Sequence, residues 1–247
     1  MSLPVFHASG EQLRTTDLVV LDGAEGRHAS VVRRLRVGER VVLTDGHGLV
    51  AQGTVVNIDR STLTVAVQAR QDVPRPEPAL VVIQALPKGE RGELAVELMT
   101  EVGVDVIIPW SASRCVARWE GERAERGLAR WRTAARAAAK QSRRVWWPEI
   151  GSLVSTPEVA GRIAGAELGL VLDGGAATSL ARSMAPTTGE VVVVVGPEGG
   201  ITEEETERFV EAGAAVVRAG PTVLRTSTAG LVAATVILSG GGRWATG

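Results

Sequence analysis

A glycine-rich break after a run of valines is the first place in this sequence where residue types and spacing suggest chemistry. Val191 to Val195 predict a strand buried on both faces, as in a parallel sheet covered by helices. Gly196-Pro197-Glu198-Gly199-Gly200 follows directly, and open α/β sheets bind ligands beyond the carboxyl ends of their strands. The spacing of Thr202 and Glu205 is that of a capping box and predicts a new helix. The break is therefore either a ligand-binding loop or a tight strand-to-helix turn without a ligand.

The charges beside this loop restrict the kind of ligand that it could bind. Glu203, Glu204 and Glu205 fill the first turn of the predicted helix, and Pro197 removes one amide donor from the loop. Three carboxylates so close together would repel a phosphate, and the loop matches neither the dinucleotide nor the Walker pattern. A neutral or cationic ligand that contacts the main chain fits better. S-adenosylmethionine, which has a sulfonium and no phosphate, is such a ligand.

Composition indicates a globular protein and limits the classes of partner. The 247 residues are 45% hydrophobic and 22% charged, which is typical of one or two soluble domains. We find no apolar leader and no apolar run of transmembrane length, so we expect no membrane partner. Cys115 is the single cysteine, which fits a cytoplasmic location, and three scattered histidines predict no metal site. With a net charge of −1, any nucleic-acid contact must come from local basic patches.

Residues 1–72 predict a small β-rich domain with one basic helix. Four segments have the composition of strands: Leu18 to Asp22, Glu39 to Asp45, Gly48 to Ile58, and Thr62 to Ala69. A helix is predicted over Ala24 to Leu35. It and its flank carry the residues that we assign to RNA binding: Arg27, His28, Arg33, Arg34 and Arg36. A β-barrel with a basic helix resembles the PUA-like RNA-binding modules, although a solvated basic face is the alternative.

Residues 80–247 predict a second domain of the α/β class, after a stiff linker at 73–79 in which prolines alternate. The predicted strands are Leu80 to Ala85, Asp105 to Trp110, Arg114 to Ala117, Leu168 to Asp173, Val191 to Val195, and Ala215 to Arg218. The predicted helices are Gly89 to Val102, Glu122 to Arg143, Thr156 to Ala164, Glu203 to Ala212, and Thr228 to Ser239. In the first of these helices, Leu94, Leu98 and Val102 are spaced to form the buried face.

Positive charge recurs along the longest predicted helix. From Arg126 to Pro148 there is no acidic residue, so we expect nothing nearby to offset the charge. Spacing by four puts several basic residues on one helix face: Arg132, Arg136, Lys140 and Arg144. We expect this stripe, with Gln141 beside it, to bind RNA, although it could also be solvated. Trp131, Trp146 and Trp147 either stack on bases or pack in the core.

The motifs in this chain resemble those of the SPOUT superfamily and, more closely, the RsmE family of uridine-N3 methyltransferases acting on 16S ribosomal RNA. The matching elements are His28 with Leu35-Arg36, Lys88, Glu101 to Val104, Gln141 to Pro148, Gly196 to Gly200, and Val223 to Ala229. Two positions depart from the family pattern, since Ser227 stands in place of a usual Glu and Thr222 in place of a frequent Arg. The departure at Ser227 affects activity if that Glu has a chemical role.

The resemblance implies an α/β fold with a C-terminal SPOUT trefoil-knot domain and a small N-terminal PUA-like β-barrel domain. It also implies that the protein forms a homodimer. The implied RNA partner is the 16S rRNA of the small ribosomal subunit. S-adenosyl-L-methionine would be held by loops that follow the strands. On this sequence the cofactor-binding residues would be Leu172, Asp173, Gly174, Gly196, Pro197, Glu198, Gly199, Gly200, Val223, Leu224, Thr226 and Thr228.

The implied reaction is methyl transfer to N3 of a uridine, for which three residues are catalytic candidates. Arg225 is the first choice to stabilise the negative charge that develops on the uracil oxygens. Arg144, from the same subunit or its partner, is the second. Glu198 could accept a proton, face the sulfonium or brace the loop. The alternatives are a SPOUT enzyme acting on another RNA such as tRNA, an RNA-binding protein without catalysis, and a nucleotide-binding α/β enzyme.

Overall fold

The computed structural model describes residues 3–241, 243 and 244, and the chain forms two compact units. The first unit comprises Met1–Arg75 together with Ala139–Trp147. The second comprises Pro76–Ala138 and Pro148–Gly247. Each unit has its own buried apolar core.

The first unit is built on a five-stranded sheet with the order β1-β3-β4-β5-β2. Its elements are β1 (Val5–His7), α1 (Gly10–Thr15), β2 (Leu18–Leu21), α2 (Gly23–Arg27), β3 (Arg40–Thr44), β4 (Leu49–Asp59) and β5 (Thr62–Asp72). β1 pairs in parallel with β3, and the other pairings are antiparallel. Alternate residues of β3 to β5 point into a core around Phe6 and Leu13. The four predicted strands are confirmed, whereas β1 and α1 were not predicted.

The helix predicted over Ala24 to Leu35 is wrong in its second half. α2 ends at Arg27, and the chain continues as a π-helical turn, His28–Val32. The amide of Arg33 donates to His28 O, five residues earlier, at 2.8 Å. Arg34 then has a φ of 52°, in the left-handed region that a continuing helix cannot use. The basic residues that follow therefore lie on an irregular segment and not on a regular helix face.

Two tryptophans of the segment 139–147 pack against the turn between β3 and β4. Trp147 N donates to Gly46 O at 2.8 Å, and Gly48 N donates to Val145 O at 3.0 Å. Both glycines have positive φ, and an added Cβ would lie 2.6 Å from the Trp147 ring or 2.5 Å from the Trp146 ring. The indole nitrogen of Trp146 also donates to the carbonyl of Val73 at 3.0 Å. These contacts make both indoles packing residues of the first unit.

The second unit is built on a six-stranded sheet in which every pairing is parallel. Its order is β11-β9-β10-β6-β7-β8. The strands are β6 (Ala79–Ala85), β7 (Val106–Trp110), β8 (Glu149–Ile150), β9 (Leu168–Leu172), β10 (Glu190–Val195) and β11 (Ala215–Val217). The helices are α3 (Arg91–Val102), α4 (Glu122–Gln141), α5 (Thr156–Ala164), α6 (Glu203–Glu211) and α7 (Thr226–Gly240). The last three residues of α4 group with the first unit.

The predicted elements of this unit are confirmed except for one strand and one helix face. Residues 114–117 form a loop, in which Cys115 N donates to Ala112 O at 3.1 Å and closes a turn. Leu94 is 45% exposed, and the buried residues of α3 are Gly92, Ala95, Val96, Met99 and Thr100. The buried face packs against α7, where a Cβ on Gly230 would lie 2.6 Å from Met99 Sδ. The predicted buried face, chosen from the spacing of Leu94, Leu98 and Val102, is therefore wrong, because the contact with α7 is made through Met99.

The path from β11 to α7 crosses the carboxyl edge of the sheet. β11 is an edge strand, but α7 packs against α3, β6 and β10 near the middle. Residues 218–225 must therefore return from the edge to the centre, past the ends of β9 and β10. This return brings three separate chain segments to one place.

Arg243, just beyond α7, is tied to the start of the sheet by a buried ion pair. Its Nη1 donates to Asp105 Oδ2 at 2.6 Å and to Pro78 O at 3.0 Å. The same carboxylate oxygen accepts the amide of Leu80 at 2.8 Å. The side chains of Arg243 and Asp105 are only 11% and 3% exposed. Removing one partner of such a pair leaves the other charge buried without compensation.

We expect Arg243→Ala to lower the free energy of unfolding by about 3 kcal/mol, because Asp105 would keep its buried charge. Urea denaturation followed by circular dichroism measures this change. Arg208→Ala, on the exposed side of α6, is the matched control and should change stability by no more than about 0.5 kcal/mol. Equal stabilities for the two variants would show that the ion pair does not anchor the end of α7.

Candidate functional site

A cavity of about 570 Å³ opens at the carboxyl edge of the parallel sheet in the second unit. It lies where the loops after β9 and β10 meet the returning segment 219–225. The register pairs Val195 with Leu172, so these two strands end side by side. The predicted cofactor-binding residues that line it are Leu172, Asp173, Gly174, Gly196, Pro197, Glu198, Gly200, Val223, Leu224 and Thr226. Residues far apart in the sequence thus form one concave site.

Two predicted cofactor-binding residues, Gly199 and Thr228, lie beside the cavity and not in its lining. An added Cβ on Gly199 would come within 3.1 Å of Arg114 Cβ, so this glycine packs against the neighbouring loop. Thr228 belongs to the first turn of α7, and its hydroxyl donates to Arg225 O at 3.2 Å. Each therefore contacts a residue of the lining, Arg114 or Arg225, without lining the cavity itself.

The glycine-rich loop is a tight turn whose conformation requires glycine. Gly200 has a φ of 76°, and its amide donates to Pro197 O at 2.9 Å. A Cβ on Gly196 would lie 2.7 Å from Ile201 Cγ1, closer than real carbon atoms approach. The loop therefore presents main chain to the cavity at short range, because side chains at these glycines would fill the space.

Glu198 is held by the segment that leads into α3. Its Oε1 accepts the amide of Lys88 at 3.2 Å and lies 3.8 Å from Arg91 Nη1. These contacts tie the tip of the loop after β10 to the loop after β6. Glu198 also lines the cavity, so its carboxylate contributes negative charge to one wall.

Glu205 turns into the protein, which corrects the picture of three carboxylates facing the loop. The residue is only 4% exposed. Its Oε1 accepts three hydrogen bonds, from Ser113 N and Oγ at 2.9 Å each and from Thr156 Oγ1 at 3.1 Å. Its Oε2 accepts the amide and hydroxyl of Thr202 at 3.0 and 3.1 Å, which completes the predicted capping box. Glu203 and Glu204 are exposed.

These contacts set the ionisation of Glu205. Burial raises the pKa of this carboxyl, but the combined hydrogen bonds from Thr202 and Ser113 outweigh burial and leave the pKa below its ordinary value. The unfolded chain lacks these contacts, so the folded-state pKa is the lower one. The stabilisation by Glu205 is therefore complete above the unfolded pKa and is lost as the pH falls through the folded value.

Arg114 and Arg91 line the cavity, and the sequence analysis assigned neither to the site. Arg114 Nη1 donates to Gly199 O at 3.1 Å. The sequence predicts Arg114 at the start of a strand, and that prediction gave no indication that its side chain lies at a cavity. The available signal was its place after β7, since that strand lies next to β6 and ends at the same edge of the sheet.

Arg225 is the N-cap residue of α7 and is exposed in the lining of the cavity. Its carbonyl accepts the amides of Thr228 and Ala229 at 2.9 and 3.0 Å, which fixes its backbone. Ser227, which departs from the RsmE pattern, is buried in the first turn of the same helix. It lies outside the cavity lining, although its neighbours Arg225 and Thr226 belong to that lining.

The predicted RNA-binding residues fall in both units. In the first unit, the exposed ones are Arg27, His28, Arg33, Arg34, Arg36 and Gln141, and Arg144 is half-buried. Lys140 pairs with Glu25 at 2.6 Å and is 18% exposed, so the expectation that nothing offsets the stripe is wrong there. In the second unit, Arg132 and Arg136 are exposed on α4. Trp131 is buried and packs edge-on against Trp119 at 5.3 Å, which identifies it as a core residue.

The described part of the chain offers neither a metal-binding cluster nor a membrane-spanning helix. Across residues 3–241, 243 and 244, no group of three or more His, Cys, Asp and Glu side chains could hold a metal ion. Within the same part of the chain, no helix combines the length and the apolar character needed to cross a membrane.

Comparison with known families matches both parts of the chain. An RNA methyltransferase domain model matches residues 75–238, and an RNA methyltransferase PUA domain model matches residues 21–68. The chain is 47% identical over 224 residues to ribosomal RNA small subunit methyltransferase E of Mycobacterium bovis. That match covers 89% of this chain and 85% of the relative.

Comparison with solved structures gives the same result for the fold. A protein of Legionella pneumophila, solved with the bound cofactor SAM, has a TM-score of 0.85 and 27% identity, covering 97% of this chain and 98% of that one. Ribosomal RNA small subunit methyltransferase E of Neisseria gonorrhoeae, solved with S-adenosyl methionine, has a TM-score of 0.83 and 26% identity, covering 96% and 98%. These matches confirm the predicted SPOUT α/β trefoil-knot domain with an N-terminal PUA-like domain. This chain therefore belongs to the ribosomal RNA small subunit methyltransferase E family.

Proposed function

We propose that this protein transfers a methyl group from S-adenosyl-L-methionine to N3 of a uridine in the 16S rRNA of the small ribosomal subunit. The proposal rests on one observation: the loops after β9 and β10 and residues 219–225 together line one cavity. Relatives that share this fold were solved with S-adenosyl methionine, and the mycobacterial relative is named for small-subunit ribosomal RNA. A SPOUT enzyme acting on another RNA is the alternative.

The residues of the cavity fit S-adenosyl-L-methionine. Gly196 and Gly200 let the main chain approach a ligand, and Leu172, Val223 and Leu224 add apolar surface. The carboxylates of Asp173 and Glu198 also line the cavity and suit a ligand with a sulfonium and an ammonium group. When bound, the cofactor supplies a methyl group activated by the positive sulfur.

The residues of the site have to bind the uridine and favour its anion. N3 lies on the Watson–Crick edge, so the base must be unpaired or flipped out of a helix. Loss of the N3 proton to solvent leaves negative charge on O2 and O4, which a nearby guanidinium stabilises. We assign this role to Arg225, because it is exposed in the cavity and its backbone is fixed as a helix N-cap. Arg144 is the second candidate, and Glu198 braces the loop through Lys88.

We assign RNA binding to the N-terminal domain, residues 1–72, which a linker at 73–79 joins to the methyltransferase domain, residues 80–247. Exposed basic residues on the segment after α2 support this assignment. We further propose a homodimer in the cytoplasm. The half-buried apolar residues of α7 support the dimer, because a second copy would cover them: Leu231, Val232 and Val236.

The reaction is tested on small subunits that lack their native methyltransferase. Incubation with this protein and S-adenosylmethionine should produce 3-methyluridine, detected by nucleoside mass spectrometry of the 16S rRNA. A parallel incubation without cofactor is the control. A protein that binds the cofactor but adds no methyl group would point to another RNA target. If the protein neither binds the cofactor nor adds a methyl group, the enzymatic proposal is contradicted, and an RNA-binding protein without catalysis is the remaining alternative.

Replacement of Arg225 should separate catalysis from cofactor binding. Arg225→Ala should reduce turnover by about 100-fold or more, because one fixed donor to a developing oxyanion is lost. Calorimetry should show a cofactor Kd within about twofold of the original, since the main-chain contacts remain. Arg208→Ala, away from the cavity, controls for the loss of a positive charge. A large loss of cofactor affinity in Arg225→Ala would overturn this role.

The glycine-rich loop should be intolerant of a methyl group at Gly196. Gly196→Ala places a Cβ 2.7 Å from Ile201 Cγ1, so the loop must shift at a cost of about 1–3 kcal/mol. The cofactor Kd should rise about tenfold or more when measured by calorimetry. Gly161→Ala, in α5 with open space around it, is the matched control and should leave the Kd unchanged. Equal affinities would exclude the loop from the cofactor site.

A further inference from the structure

The buried carboxylate of Glu205 links the loop after β7 to the glycine-rich loop. One of its oxygens accepts both the amide and the hydroxyl of Ser113, and the other caps α6 through Thr202. Ser113 and Thr202 belong to segments that follow different strands. Because Glu205 is almost fully buried and ionised, a shift of either segment would leave a charged oxygen without its donors.

This link fixes the position of Arg114, the residue after Ser113. The Cβ of Arg114 packs against Gly199, and its Nη1 donates to Gly199 O at 3.1 Å. Both ends of the side chain are therefore held against the rim of the cavity. A guanidinium has five N–H donors in a fixed plane, so one bond to a carbonyl leaves most of them for a ligand.

The positive charge of Arg114, unlike that of Arg91 in the same cavity, has a neutral hydrogen-bond partner and no carboxylate partner among the described contacts. Arg91 lies 3.8 Å from the carboxylate of Glu198, which offsets its charge. The hydrogen bond of Arg114 goes to a neutral carbonyl, and the residue is exposed. A fixed guanidinium at the rim of a cavity favours an anion with paired oxygens, such as phosphate or carboxylate.

We propose that Arg114 binds a phosphate of the RNA strand next to the target nucleotide, and that Glu205 positions Arg114 through Ser113; this rests on the function proposed above. A nucleotide that enters the cavity brings its flanking phosphates to the rim, where Arg114 lies. The carboxylate of the cofactor is the competing anion. Arg114 is thus a substrate-binding residue, and Glu205 is a positioning residue outside the cavity lining.

The salt dependence of RNA binding tests the phosphate contact. Affinity of Arg114→Ala for a small-subunit ribosomal RNA fragment is measured by fluorescence anisotropy over a range of salt concentrations. Loss of one phosphate contact on a single strand should reduce the slope of log K against log salt by about 0.7. Affinity at low salt should fall about tenfold, and Arg114→Lys should restore most of the slope because it keeps the charge. Arg208→Ala should match the original protein.

Calorimetry with S-adenosylmethionine decides whether Arg114 binds an RNA phosphate or the carboxylate of the cofactor. If Arg114 binds RNA phosphate, the cofactor Kd of Arg114→Ala stays within about twofold. A large rise in cofactor Kd with an unchanged salt slope would assign Arg114 to the cofactor and overturn the proposal. Unchanged RNA affinity and slope would also overturn it. If the original protein adds no methyl group but Arg114→Ala still lowers the slope, the reaction is wrong and the phosphate contact stands.

Glu205→Gln tests the positioning role, since it keeps the shape but removes the charge and one acceptor. It should lower the salt slope partly, and adding Arg114→Ala should produce no further loss beyond that of Arg114→Ala alone. Ser113→Ala removes the hydroxyl contact without touching the helix cap and serves if Glu205→Gln fails to fold. Additive losses in the double variant, or a normal slope in both Glu205→Gln and Ser113→Ala, would contradict the positioning role.

Discussion

The hydrogen bonds that converge on the carboxylate of Glu205 are the interaction on which the geometry of the cavity depends. Five donors from three residues surround it, contributed by the loop after β7, the start of α5 and the cap of α6. A parallel sheet places its loops at one edge but does not set their spacing. Here a buried charge sets that spacing, because each segment must supply its donor for the carboxylate to remain ionised inside the protein.

Much of the fold follows from local patterns in the sequence. The valine run of β10, the capping box at Thr202 and the alternation of strands and helices define their elements without tertiary information. The glycine-rich loop could also be predicted from local sequence, because its backbone conformation requires glycine at Gly200 and its packing requires glycine at Gly196. The composition of a segment therefore predicts the local backbone of that segment, including a turn that only glycine can form.

The parts that could not be predicted depend on contacts between distant segments. Glu25 offsets Lys140 across 115 positions of sequence, so the acid-free helix gave no sign of this pairing. The buried face of α3 packs against α7, with Met99 beside Gly230, and does not follow the spacing of its own leucines. Arg114 reaches the cavity from a loop whose composition resembled a strand, and Glu205 turns inward because Ser113 and Thr156 provide donors there. In each case the deciding partner lies far away along the chain.

The composition of the first unit has a consequence for the order in which this protein can fold during its own synthesis. That unit includes Ala139–Trp147, which supply the indoles that cover Gly46 and Gly48. An N-terminal domain usually folds as soon as it leaves the ribosome. Here the first unit can be completed only once residue 147 has been translated, and the cavity only once residues 219–229 have been. All residues of the first unit therefore precede the last residues of the cavity along the chain, so the cavity can be completed only after the first unit.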